Sequence, residues 1–133
     1  MPHVLDACAV IAYLRHEQGA ELVRDLLGEE PPACMIHAVN FCEVYYDSIR
    51  CESEAAARTV VQELRSIGLA VREDMDEAFW QQIGRYKAAH RMALADAFAV
   101  ALADRVDADV VTSDRREFEP LAARNVCRVR FIR

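Results

Sequence analysis

Glycine and proline are scarce in this 133-residue chain, four of each, which argues against an all-β protein built on many tight turns. The five cysteines (Cys8, Cys34, Cys42, Cys51 and Cys127) include no CxxC pair. Their odd number and spacing do not describe a disulfide framework, so reduced thiols and a cytoplasmic location are expected. No apolar run reaches membrane-spanning length, and the opening MPHVLDACAV lacks the basic-then-apolar pattern of a secretory signal. No membrane association is expected. His3, His16, His37 and His90 are scattered, and no tetrahedral zinc set emerges from them. A formal charge of -6 argues against non-specific coating of nucleic acid, which relies on neutralising many phosphates. It leaves room for an enzyme with a local basic rim. Fifteen of the sixteen basic residues are Arg, the side chain suited to bidentate phosphate contacts, although a general Ala/Arg/Val/Asp bias explains the same count.

What the chain has is apolar material, 53% of its residues, ample for a core, and a length that fits one domain over residues 1–133. Short apolar runs alternate with helical periodicity. HVLD at residues 3–6 reads as a first strand, followed by a helix from Cys8 to Arg15 and another from Ala20 that Gly28 and Pro31-Pro32 stop. Ala33–His37 reads as a second strand, Val39–Arg50 as a helix, and Ser53 caps the next, which Gly68 closes. Residues 69–71 form a third strand, and Asp76 opens a helix in which Phe79, Trp80, Ile83 and Tyr86 read chiefly as core. Met92–Arg105 is the most apolar helix; DADVVTSD is a fourth strand, Arg115–Ala123 a loop with a helical turn, and Val126–Ile132 a final strand. The order β-α-α-β-α-α-β-α-α-β-α-β predicts a mostly parallel sheet covered by helices on both faces.

Open parallel sheets bind ligands beyond the carboxyl ends of their strands. Asp6 ends the first strand and Asp114 follows the fourth, though each alone is equally well explained as an N-cap or turn former. Asp96 lies among Ala, Leu, Val and Phe in RMALADAFAVALA, where an unpartnered carboxylate is costly. A helix restart, a partner Arg or a metal ion would each account for it. Glu43 has the same setting in milder form in VNFCEVYY, with Asn40 and Asp47 on its side of the helix; a solvent stripe is the competing explanation. Four acids would thus meet at one rim, where like charges oppose one another's ionisation. Mg²⁺ or Mn²⁺ is the natural occupant of such an all-oxygen site, and the chemistry it favours is phosphoryl hydrolysis. Thr112 and Ser113 stand beside Asp114, with hydroxyls able to bond carboxylates or a water. Arg85, Lys87, His90 and Arg91 form a basic patch before the Asp96 helix, and Arg115-Arg116 follow Asp114. They are candidate phosphate contacts, or equally a solvated face.

Asp6 in VLDACAVIAYL, Glu43 in HAVNFCEV, Asp96 in LADAFAVALA and Asp114 in VVTSDRREFEPL together resemble the PIN-domain nucleases, and among them the VapC-type ribonuclease toxins of toxin–antitoxin pairs. The resemblance runs from Val4 to Phe131. It implies a three-layer α/β/α sandwich, a site holding one or two Mg²⁺ or Mn²⁺ ions, and endonucleolytic cleavage of single-stranded or loop RNA (tRNA, rRNA or mRNA) to a 5′-phosphate and a 3′-hydroxyl. Asp6, Glu43 and Asp96 would match the innermost ligands and Asp114 would complete the site, while Asp114 and Thr112 orient the attacking water. It also implies a homodimer and an antitoxin whose tail enters the groove; whichever of Tyr45, Tyr46, Trp80 and Tyr86 are exposed and not core are candidates for the dimer surface. An RNA-processing nuclease without antitoxin, or a silent module of the same fold, would share most of these features. Two positions depart from the pattern. Cys8 stands where Ser or Thr is frequent, and a thiol is the poorer hydrogen-bond partner. Asn40 stands where a small hydroxyl residue is frequent, retaining an oxygen that can serve the site through water.

Overall fold

A computed structural model describes residues 1–133, and its elements follow the predicted order. The first half comprises β1 (His3–Leu5), α1 (Ala7–Leu14), α2 (Ala20–Leu27), β2 (Cys34–His37), α3 (Ala38–Cys51), α4 (Glu54–Ser66) and β3 (Ala70–Arg72). The second comprises α5 (Glu77–Ala89), α6 (Leu94–Val106), β4 (Asp109–Thr112), α7 (Arg115–Ala123) and β5 (Val129–Phe131). The five strands form one sheet in the order β3-β2-β1-β4-β5, and every pairing is parallel. The chain therefore builds outward from β1 on one side and then crosses to the other, leaving a switch point between β1 and β4.

Successive strand residues feed opposite faces. Leu5, Val111 and Ile36 join Val10, Leu26, Phe41 and Leu64 under α1 to α4. Val4 and Val110 join Phe79, Phe98, Leu102 and Phe118 under α5 to α7. The result is the expected α/β/α sandwich. Because α1 lies on one face and α7 on the other, the segments leaving β1 and β4 diverge, and a crevice opens between them. Every residue from Ala97 to Ala103 is buried. The alternating alanines let α6 lie close over the sheet, while Phe98, Val100 and Leu102 each contribute roughly 1.5–3 kcal/mol by burial.

The structure departs from the sequence reading at several places. Residues Arg115–Ala123 form a nine-residue helix, not a loop with one turn. The interior Pro120 removes a backbone donor, but Asp114 caps the helix and Phe118 and Leu121 anchor it in the core. The final strand is confined to Val129–Phe131. Trp80, expected in the core, is 50% exposed, whereas Phe79 and Ile83 are buried. Asp76 makes no side-chain cap to α5. Its carboxylate instead pairs with Arg105 of α6 at 2.5 Å, and the same guanidinium reaches Asp74 and covers the ring of Phe79. At the far end, Gly19 has φ +96, and a Cβ there would stand 2.5 Å from the carbonyl oxygen of Ile132, so the turn into α2 seats the chain's last residues.

Candidate active site

At the carboxyl end of β1, Asp6 takes up the N-cap of α1. Its Oδ1 accepts from the Ala9 backbone N–H at 2.9 Å and its Oδ2 accepts from the Thr112 hydroxyl at 2.5 Å. Thr112, wholly buried at the end of β4, also accepts from the Asp114 N–H at 3.0 Å. Asp114 in turn caps α7 through Oδ1, which accepts from the Glu117 N–H at 3.1 Å. One hydroxyl thus ties together the acids at the ends of the two adjacent strands that flank the switch point. Its single proton is committed to Asp6, so the bond that the structure shows is one that positions Asp6. Ser113 is half-buried beside it.

Asp96 is placed differently from the sequence reading. The α6 helix starts at Leu94, so Asp96 sits in the first turn, where a carboxylate is favoured by the free N–H groups and the helix dipole, and not in the helix interior. The α6 N-cap, Ala93, offers no side-chain cap. Glu43 is held near by Asn40, which is buried on α3. The Asn40 amide donates to the Ala95 carbonyl at 3.0 Å and to Glu43 at 3.4 Å, joining α3 to the first turn of α6. Asp47, on the same stripe of α3, is drawn away into a pair with Arg15 at 2.6 Å.

Electrostatics gather these acids into one group. Burial, followed by the charges of Asp96 and Asp114, pushes Asp6 up to about 7 against two opposing hydrogen bonds, those from Thr112 and from the Ala9 N–H. Burial, then Asp114, Glu117 and Glu43, pushes Asp96 up to about 7. Glu43 is raised by burial, against the bond from Asn40. Cys8 reaches solvent, yet loss of hydration and then the charges of Asp6, Asp114, Asp96 and Glu43 push its thiol up to about 12. It is a neutral neighbour of the cluster and no thiolate ligand. Glu117 is the member that the sequence reading missed; its signal was the D-x-x-E spacing from Asp114, a capping-box pattern.

No Lys, Arg or His forms an ion pair with Asp6, Glu43, Asp96, Asp114 or Glu117. Ten other acids of the chain are paired, while none of these five is. The donor set is all oxygen, which fits a hard divalent cation. It is an open cluster and not a closed chelate, since no three His, Cys, Asp or Glu side chains converge on one point.

The basic residues divide. Arg115 is occupied: it donates to Glu119 at 2.9 Å and to the Arg133 carbonyl at 2.8 Å, and its guanidinium lies 4.4 Å from the Phe131 ring. These contacts fasten α7 to the end of the sheet, with the Arg115 side chain still about half exposed. Lys87 donates to the Met92 carbonyl at 2.5 Å, closing the α5–α6 connection. Arg85 is exposed on α5. Arg91 and Arg116 line a common cleft of about 330 Å³ with His90 and Arg124. Elsewhere a groove of about 530 Å³ separates α1 and α2 from α3 and α4, lined by Ile11, Leu14, Ala56 and Val60 together with charged residues of both signs, among them Glu21, Glu63, Arg15 and Arg24.

A Thr112→Val variant tests the tie between the strands. It should stay folded but lose about 1.5–3 kcal/mol of stability, since it removes one of the two donors to the buried Asp6 carboxylate. Urea unfolding at neutral pH measures the loss; an unchanged midpoint would show that the bond contributes nothing.

A family model described as the PIN domain matches residues 3–123. No curated protein matches the chain. Among solved structures, the DNA-bound VapBC of Salmonella typhimurium is 17% identical with a TM-score of 0.77, over 100% of this chain and 99% of that one. VapBC2 of Rickettsia felis, bound to a promoter DNA fragment, is 13% identical with a TM-score of 0.76 and 98% coverage of both. A sarcin-ricin-loop-cleaving VapC toxin of Mycobacterium tuberculosis is 15% identical with a TM-score of 0.67, over 84% of this chain and 89% of that one. At these identities the likeness is one of fold.

Proposed function

Since the chain belongs to the PIN-domain family, we propose that residues 1–133 form one nuclease unit, a metal-dependent endoribonuclease that serves as the toxin of a toxin–antitoxin pair. The observation that carries this reading is the group of buried or half-buried acids at the β1/β4 switch point, which no cation of the chain neutralises. Asp6, Glu43 and Asp96 would hold Mg²⁺ or Mn²⁺, with Asp114 completing the set. When bound, the ion stabilises charge building on the phosphoryl oxygens and makes water a competent nucleophile near neutral pH.

The chain's own side chains do the rest. Thr112 fixes Asp6 in one rotamer, and Asn40 holds Glu43 against the first turn of α6. Asp114 spends one oxygen on the α7 cap; the other is free to orient the attacking water. Water attacks phosphorus, the bond to the 3′ oxygen breaks, and that oxygen takes up a proton. The products are a 5′-phosphate and a 3′-hydroxyl.

The groove between the α1–α2 and α3–α4 pairs supports an antitoxin partner. Its lining combines apolar side chains with acids that outnumber the arginines Arg15 and Arg24, which suits an amphipathic helix carrying basic residues. Of the aromatic residues considered for a homodimer, Tyr46 and Trp80 are exposed. No helix is long and apolar enough to cross a membrane.

The test is cleavage of a mixed tRNA and rRNA preparation by the partner-free chain, with Mg²⁺ or Mn²⁺ against EDTA. Discrete cuts that need the metal are expected, with products carrying a 5′-phosphate. Cutting that persists unchanged in EDTA would overturn the metal-dependent reading, and no cutting by folded, metal-saturated protein would overturn the ribonuclease.

A further inference from the structure

The cleft between the α5–α6 connection and α7 is lined mostly by basic side chains. Arg91 enters it from the connection and Arg116 and Arg124 from α7. All three are exposed, and none forms an ion pair or donates a side-chain hydrogen bond. Eight of the chain's other arginines are paired with carboxylates. Three free guanidiniums around one space of about 330 Å³ repel one another unless an anion joins them. His90 completes the wall, and its Nδ1 is buried without a hydrogen-bond partner, a cost that turning toward an oxyanion would relieve.

Glu117 also lines this cleft, and its backbone N–H donates to Asp114 of the acid cluster at 3.1 Å. The cleft and the acid cluster are therefore adjoining, sharing one wall. An acid in that wall opposes a lone anion, but it suits a polyanion whose next segment lies over a cation-loaded carboxylate cluster.

We infer that His90, Arg91, Arg116 and Arg124 form a subsite for a backbone phosphate of single-stranded RNA adjoining the scissile one, which rests on the ribonuclease reading above. The subsite sets the register: it fixes which phosphodiester lies over the acids. Bidentate guanidinium contacts to phosphate suit this role better than lysines would, and they read backbone and not base.

The experiment compares binding of a short fluorescent oligoribonucleotide by the full chain carrying Asp96→Asn, which leaves the RNA uncut, with and without Arg116→Ala and Arg124→Ala together. Anisotropy is followed across a salt series. The paired substitution should weaken binding roughly tenfold, and the plot of log affinity against log salt should become shallower by about 0.7, the loss of one phosphate contact on a single strand. Arg130→Gln, at an exposed arginine outside the cleft, should change neither. In the otherwise wild-type chain, the paired substitution should raise KM or shift the cut positions while kcat holds. Unchanged affinity and slope, or equal losses with Arg130→Gln, would overturn the subsite while wild-type cleavage still stood. Absence of cleavage by the wild type would remove the ribonuclease reading and the subsite with it. Circular dichroism and the melting temperature establish that the exposed-arginine variants fold.

Discussion

Replacing Asp96 by Asn is expected to abolish RNA cleavage and to leave a folded chain that is more stable than the wild type without metal. The first effect follows from removing a carboxylate that would hold the cation. A loss of several kcal/mol of transition-state stabilisation corresponds to a fall in kcat of roughly a thousandfold or more. The second follows from position. Asp96 stands in the first turn of α6, close enough to Asp114, Glu117 and Glu43 for their charges to raise its pKa, and asparagine keeps its shape while deleting one of those charges. Single-turnover cleavage and chemical unfolding in EDTA measure the two effects on the same preparations. Residual cleavage within tenfold of wild type would remove Asp96 from the site. An inactive variant less stable than wild type would show that the carboxylate is a structural group, not a strained functional one.

The second large effect is a dependence of stability on pH that a metal reverses. Asp6 and Asp96 titrate near 7 in the fold, against 3.8 as ordinary aspartates. Between those values the folded chain retains protons that the unfolded chain has already released. Stability therefore falls as pH rises from about 4 through about 7, on the order of a few kcal/mol for the pair after screening. Asp74 and Asp76 carry the opposite sign. Hydrogen bonds from Arg72 and Arg105 to Asp74, and from Arg105 to Asp76, lower their pKa values, so their contribution fades only as pH falls below the ordinary carboxylate range. The two effects occupy different windows. Mg²⁺ in large excess over its dissociation constant should raise the melting temperature by roughly 5–10 °C near pH 8, and by much less near pH 5, where protons occupy the cluster. Differential scanning calorimetry across that range, with Mg²⁺ and with EDTA, provides the measurement. A shift that is equal at both pH values, or undiminished in Asp96→Asn, would place the ion elsewhere.

The order of all twelve elements was legible because short apolar runs and helical periodicity alternate without interruption, and the strand-end acids followed from topology. Asp6 and Asp114 could be read from the ends of HVLD and VVTSD alone. What escaped depended on distances in three dimensions. Pro120 concealed α7, because its missing donor is visible in the sequence and the anchoring of Phe118 and Leu121 beneath it is not. The true start of α6 was hidden because no capping side chain marks Ala93, so the setting of Asp96 was misjudged. Arg115 and Lys87 looked like free cations, and only the fold shows the carbonyls and ring that hold them. The pairing of Arg105 with Asp74 and Asp76 spans the β3–α5 connection and α6, beyond any local pattern.

Asp6 and Asp114 each hold a helix with one carboxylate oxygen, and the second oxygen of Asp6 accepts from Thr112. Asparagine caps helices about as well as aspartate. The cheapest way to silence this molecule is therefore also the least disruptive to its shape. A lineage exposed to a harmful cutter would be relieved by such exchanges without accumulating misfolded chain, and the silenced protein would keep its outer groove. On the toxin–antitoxin reading, an inert copy of that kind would still occupy the same partner, so loss of chemistry at these two positions need not mean loss of influence in the cell that carries it.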